Sequence, residues 1–359
     1  MDDISGIELS RRFHDELVAP WLQRAFPELR YAAALIGPGS EVLGFDDPIS
    51  RDHDWGPRLL IFVSEADFAA HADAVAGGFA AVAPADFLGH PLGLNRTRGE
   101  IEGVRRDPSH GLEVHTLEAM LRRTLALALD EPRDALTWLG LSEHRLLGLT
   151  AGAVFHDDDG RLTALRERLS ASPRDVRLYK LACQWRRIAE EQAFVGRTGD
   201  LGDELGSKII AARLVRDAMR MAFLIEDRYA PYPKWFGAAF AQLPCAPALK
   251  PMLERALAAS DWRAREAALA EACRTLAEVQ TARGLPGARP VIGPFHDRSF
   301  MVINADAIGA AVAAEIVDPA LSALPIIGSL DQVTDSTPVI EAPDRARRAM
   351  AALFDDGEA

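Results

Sequence analysis

The sequence predicts an α+β protein: a mixed sheet with helices over residues 1–135, followed by a mainly α-helical domain over 136–359. Three observations predict it. Short apolar runs alternate with helical patterns through the first part, as strands and helices do in a small sheet domain. From residue 136 onward the apolar period is helical almost throughout. The chain has 359 residues, more than one ordinary core takes, so two domains are expected.

The elements follow in order. Residues 5–28 carry Ile7, Leu9, Phe13, Leu17 and Leu22 at helical spacing. "YAAALIG" (31–37) reads as a buried strand that ends in glycines, and "RLLIFV" (58–63) as a second strand. Ser64 is placed to cap the helix that starts at "SEADF". "GLEVHTL" (111–117) alternates as a third strand, and "EAMLRRTLAL" returns to helix. In the second domain Ser172 and Pro173 are expected to open a long helix that closes at Gly196. Four more helices follow, starting near 201, 233, 247 and 261. Residues 285–340 are rich in Pro, Gly and Asp, and read as loops and short elements packed on the helices.

Composition narrows the function classes. Hydrophobic residues make up 48%, as in a globular protein. Cys183, Cys245 and Cys273 form no CxxC pair and leave an odd count, which predicts buried thiols in a reduced, cytoplasmic compartment. The acidic N-terminal stretch has no signal-peptide core, and no apolar run is long enough to span a membrane. A net charge of -13 argues against a duplex nucleic-acid partner, yet leaves room for a small phosphorylated ligand in a local cationic pocket. Lysine occurs at only four positions, 180, 208, 234 and 250.

One stretch carries chemistry: Gly39-Ser40, Gly44, then Asp52-x-Asp54 before the second strand. A Gly-Ser turn exposes backbone N–H groups and a hydroxyl that can cradle phosphate oxygens. Two acids at i and i+2 on extended chain point the same way. They are either a solvated turn or a pair of ligands for Mg2+, which takes oxygen donors and bridges to phosphates. With two metals such a pair clamps both oxygens of an in-line phosphoryl displacement. Asp46 and Asp47 are expected to be loop acids.

This pattern resembles the nucleotidyltransferase superfamily that includes DNA polymerase beta and the aminoglycoside nucleotidyltransferases. "GSEVLGFDDPISRDHDWGPR", "LTAGAVFHDDDGRL", "FVGRTGDLGDELGS", "RYAPYPKWFGAAF", "FHDRSF" and "GSLDQVTDST" further resemble the bacterial group called domain of unknown function 4037. The resemblance implies a third carboxylate on a neighbouring strand. Glu113 fits, with Glu118 or Asp107 as backups. It also implies a lysine from the helical domain on the triphosphate, for which Lys234 fits by context. "WGPR" (55–58) departs from the superfamily pattern, and a bulge at the strand start is expected there.

Other residues keep two readings. Glu190 or Glu191 could act as general base for an acceptor hydroxyl, or pair with Arg186 or Arg187 on the helix surface. Asp200 or Asp203 is expected to cap a helix. "FHDDDGRL" reads as a tight acidic turn, and His156 and His296 as hydrogen-bonding residues. Arg51, His53 and Arg58 flank the acids and could orient them or touch phosphate.

The expected activity is Mg2+-dependent transfer of a nucleoside monophosphate, AMP from ATP or another NTP, to a hydroxyl of a small molecule or protein. Gly39, Ser40, Arg58 and Lys234 would bind the nucleotide, and Asp52, Asp54 and Glu113 the metal. The alternatives are a non-catalytic nucleotide-binding regulator and a toxin–antitoxin-type binding module.

Overall fold

The computed structural model describes residues 4–51, 55–93 and 103–355. The chain forms two compact units, Met1–Pro132 with Arg145–Ser170, and Arg133–His144 with Ala171–Ala359. The single crossing expected at 135 is therefore replaced by a return of the chain to the first unit. The cause is a strand, Ala153–Asp157, whose end overlaps the acidic stretch expected to be a turn.

The first unit holds β1 (Ala32–Leu35), β2 (Arg58–Phe62), β3 (Asp86–Phe87), β4 (His90–Pro91), β5 (Val104–Arg106), β6 (Gly111–His115) and β7 (Ala153–Asp157). Five of them form a mixed sheet in the order β5-β6-β2-β1-β7, and β3 pairs with β4 apart from it. Strands β2 and β6 run parallel, while β1 lies antiparallel to both β2 and β7. Alternation sends Leu59, Ile61, Leu112 and Val114 to one face. There they meet Leu9, Phe13 and Leu22 from the N-terminal helices and Val75 and Phe79 from helix Glu65–Ala80. Phe13 and Phe79 meet edge to face with centroids 5.8 Å apart. The N-terminal helical run widens into a π-type turn over His14–Val18. Ser64 caps its helix by accepting the Asp67 N–H at 3.0 Å, and Thr116 caps helix Leu117–Leu125 through the Ala119 N–H at 3.1 Å.

The second unit is built on helices Arg174–Asp200, Glu204–Ile225 and Trp262–Ala282, with Ala246–Ala258 and Ala305–Ala313 packed on them. Trp185, Tyr179, Met221 and Leu276 are fully buried in it. The long helix starts after Pro173, one residue later than expected, and continues past Gly196 to Asp200. Gly196 and Gly199 serve close approach rather than termination. A Cβ on Gly196 would fall 2.6 Å from Phe300 and Glu266, and one on Gly199 would fall 2.3 Å from Trp262. Residues 285–340 form the hairpin of β8 (Ile292–Pro294) and β9 (Met301–Ile303) and several short helices. The three cysteines are free and buried. Among the described residues no helix is long and apolar enough to cross a membrane.

Candidate functional site

After β1 the chain turns at Gly39 and enters a short 3-10 turn, Glu41–Leu43, closed by Gly44 in the left-handed region at φ 72°. Gly39 has φ 143°, and a Cβ there would lie 2.5 Å from Glu41 Oε2 and 2.6 Å from Arg58 Nη2. Only glycine fits this position. Ser40 Oγ donates to the Ser50 carbonyl at 2.8 Å, so the hydroxyl ties the turn to the following loop.

That loop is built by its first two acids. Asp46 Oδ2 accepts the Gly6 N–H at 2.7 Å and the Trp55 indole N–H at 3.0 Å. Asp47 accepts the Ile49 and Ser50 N–H groups, an Asx turn. Arg51 donates to the Asp46 carbonyl at 2.9 Å and lies 4.4 Å from the Trp55 ring. Asp52, His53 and Asp54 lie outside the described residues.

The bulge expected at "WGPR" does not occur. β2 pairs from Arg58 onward without a shift, Arg58 opposite Gly111 and Leu60 opposite Glu113. A Cβ on Gly111 would meet the Pro57 carbonyl at 2.1 Å, so the bare glycine lets the two chains close up where the strand begins. Arg58 is buried. Its Nη2 donates to the Pro38 carbonyl at 2.7 Å and stands 2.6 Å from Glu41 Oε1. Glu41 is only 1% exposed, and its contact with Arg58 is an ion pair rather than an aligned hydrogen bond.

Glu113 shares a sheet face with Arg58, Leu60, Phe62 and His115, opposite the packed core face. Its Oε2 lies 3.1 Å from His115 Nε2, and Arg106 Nη1 lies 3.8 Å from its Oε1. His115 is fully buried, and burial lowers its pKa from the ordinary imidazole value despite the Glu113 carboxylate, which acts the other way. A carboxylate only accepts, so the neutral ring carries its proton on Nε2. His115 Nδ1 has no partner among the described residues. The backup acids serve local turns. Glu118 accepts the Leu129 N–H, and Asp107 accepts the Ser109 N–H and hydroxyl. These hydrogen bonds hold both below the usual carboxylate range.

In the second unit Lys234 is the second residue of helix Pro233–Ala241, exposed, with Nζ 4.7 Å from the Trp235 ring. Glu190 is exposed and accepts from Arg186 Nε at 2.9 Å. Glu191 is more buried. Its Oε1 accepts from Arg213, and its Oε2 is buried with no partner among the described residues. Asp203 caps helix Glu204–Ile225 through the Gly206 N–H at 2.8 Å. "FHDDDGRL" contains the end of β7 and then a turn, and His156 packs against Tyr31 with the rings tilted by 31° and their centroids 4.4 Å apart.

Glu41 and His115 belong to this site and were not singled out from the sequence. A signal existed for both: Glu41 follows Gly39-Ser40 directly, and His115 stands two residues beyond Glu113 on one strand, hence on the same face. Among the described residues no three His, Cys, Asp or Glu side chains are grouped to hold a metal ion. The first unit also contains a cavity of about 460 Å³ where β2 and β6 end, walled by Phe62, Ser64, Thr116 and Glu118. None of the sequence-predicted site residues other than the backup Glu118 lines it.

No curated protein matches the chain. A solved nucleotidyltransferase-like protein from Exiguobacterium sibiricum 255-15 aligns with 77% of this chain and 78% of its own, at 13% identity and a TM-score of 0.32. "LTAGAVFHDDDGRL", "FVGRTGDLGDELGS" and all but the last four residues of "RYAPYPKWFGAAF" fall inside a span that matches a known family, whereas the Gly39–Arg58 stretch falls outside it. That span is residues 138–236, which are similar to the family described as a domain of unknown function (DUF4037).

Proposed function

We propose that the protein is a nucleotidyltransferase that moves a nucleoside monophosphate, AMP from ATP, to a hydroxyl of a small molecule or protein and releases pyrophosphate. The observation that supports this most is the position of Glu113. It stands on the strand beside β2, opposite Leu60 and on the face shared with Arg58. The Gly39-Ser40 turn would offer backbone N–H groups to phosphate oxygens, with the Cβ side of Gly39 closed by Glu41 and Arg58. Bound Mg2+ would neutralise phosphate charge as the phosphorus is attacked. The chain's own part is to orient the nucleotide on the turn and to hold Glu113 through His115 and Arg106.

A second reading is nucleotide binding without catalysis, favoured by the engagement of Glu113 with His115 and Arg106. One set of measurements separates them. The purified protein is incubated with α-labelled ATP and Mg2+, with a metabolite extract as acceptor source, and pyrophosphate and labelled product are followed. Calorimetry with ATP and Mg2+ runs beside it. Transfer that disappears in Asp52→Asn/Asp54→Asn supports the enzyme. Full pyrophosphate release in that double variant rejects it, and binding without release supports the second reading.

A further inference from the structure

The cavity at the carboxyl ends of β2 and β6 has no part in the proposed reaction. The Gly39 turn meets Arg58 at the other end of β2. The strand from Arg58 to Phe62 sets the two roughly 13 Å apart. β2 and β6 are parallel, and ligands of α/β sheets sit beyond the carboxyl ends of such strands. A volume of about 460 Å³ is that of a small-molecule site.

The buried part of the lining is mostly apolar, with Ala32, Phe62, Leu117 and Leu162. Around it six carboxylates stand against two guanidiniums. Asp159 accepts from Arg30 Nε at 2.9 Å, the one charge cancelled within the lining. Asp157 accepts the Thr163 N–H and hydroxyl, both at 2.8 Å, and Asp67 accepts the Ser64 hydroxyl at 2.7 Å. These neutral donors leave the charges in place. Glu118 accepts the Leu129 N–H, and its partner Arg122 stands outside the lining. Glu65 and Asp130 are exposed, with no hydrogen bond or ion pair among the described residues. Arg161 remains to offset them.

Three helices begin at the cavity, at Glu65, Leu117 and Arg161. Helix starts favour anions. Here that preference is already met. Glu65, Asp67 and Glu118 stand in the first turns of two of them, and Asp157 takes the Thr163 N–H of the third. An anionic ligand would meet carboxylates on entering, whereas a cation is drawn in by them.

We propose that this cavity binds an organic cation, an ammonium carried on an apolar body. Glu65 and Asp130 take the charge at the rim, and Phe62, Leu117 and Leu162 take the body. Binding there does not depend on nucleotide transfer.

Phenethylamine is the probe, and 3-phenylpropionate, with the same ring and the opposite charge, is its control. The full chain is titrated with each and followed by leucine methyl NMR. Phenethylamine is expected to saturate with a Kd on the order of 1 mM. It should shift the methyls of Leu117, Leu129 and Leu162, which line the cavity, and leave those of Leu181 and Leu276 in the second unit. Phenylpropionate should bind about tenfold more weakly. Glu65→Gln/Asp130→Asn should weaken phenethylamine about tenfold, and Arg161→Gln should tighten it about threefold. All three side chains are exposed, and the two variant proteins test the charge separately should one not fold. No saturation at roughly ten times the expected Kd overturns the proposal. So do equal affinities for the two probes, shifts that spare the three lining leucines, or an affinity that neither variant moves in the stated direction.

Discussion

Arg58 and Glu41 form a buried ion pair, Nη2 to Oε1 2.6 Å, against the side of the Gly39 backbone that has no room for a Cβ. Removing one partner of such a pair leaves the other charge buried. Glu41→Ala is expected to cost about 3–5 kcal/mol, while Glu41→Leu with Arg58→Met recovers most of the loss. Urea unfolding curves of the three proteins check this. Similar losses in the single and double variants would count against the pair.

Stability should fall with acid. His110 is buried, and its tautomer is set by geometry: Nδ1 accepts the Leu112 N–H at 3.1 Å and Nε2 faces the Ala76 carbonyl at 3.0 Å. Burial is the first cause that lowers the pKa values of His14, His110 and His115. Unfolded imidazoles therefore bind protons that the folded ones refuse, and stability drops as pH falls below about 6.5. Calorimetric melts from pH 7.5 to 5 should show a falling melting temperature. His110→Asn keeps an acceptor near Nδ1 and should flatten the slope.

Two glycines in helices should respond oppositely to alanine. Gly199 abuts Trp262, so Gly199→Ala overpacks and is expected to cost about 1–3 kcal/mol. Gly77 lies exposed within helix Glu65–Ala80 with nothing within 4 Å of a new Cβ. Gly77→Ala should stabilise by about 0.5–1 kcal/mol. Denaturation midpoints measured in parallel decide both signs.

His115 is expected to orient Glu113 through one N–H. Glutamine can present an amide near the place of Nε2, and leucine cannot. If the proposed transfer holds, His115→Leu lowers kcat about tenfold or more with the melting temperature little changed, and His115→Gln restores much of it. Equal activity of the two variants would show that the ring only fills space.

Much of the fold was legible because its signals are local. Ser64 precedes an amphipathic run, and β6 alternates cleanly. β7 was not legible. Its sequence, AVFHD, runs into three acids and reads as a turn, and its partner β1 lies some 120 residues earlier. The stop expected at Gly196 failed for a related reason. A glycine's meaning there depends on Phe300 and Glu266, about a hundred and about seventy residues further along the chain. Of the candidate site, residue type and spacing point to Gly39 and Ser40 and the family resemblance to Glu113, but the Arg58–Glu41 pairing needs the turn folded.

The pairing of β1 with β7 also constrains the order of assembly. β1 is an inner strand only once residues 153–157 have joined it. During synthesis the N-terminal 135 residues emerge with one edge of β1 open and its buried alanines uncovered. Exposed edges of this kind invite pairing between chains. A fragment that ends at 135 should aggregate, whereas one that extends through residue 170 closes its own sheet.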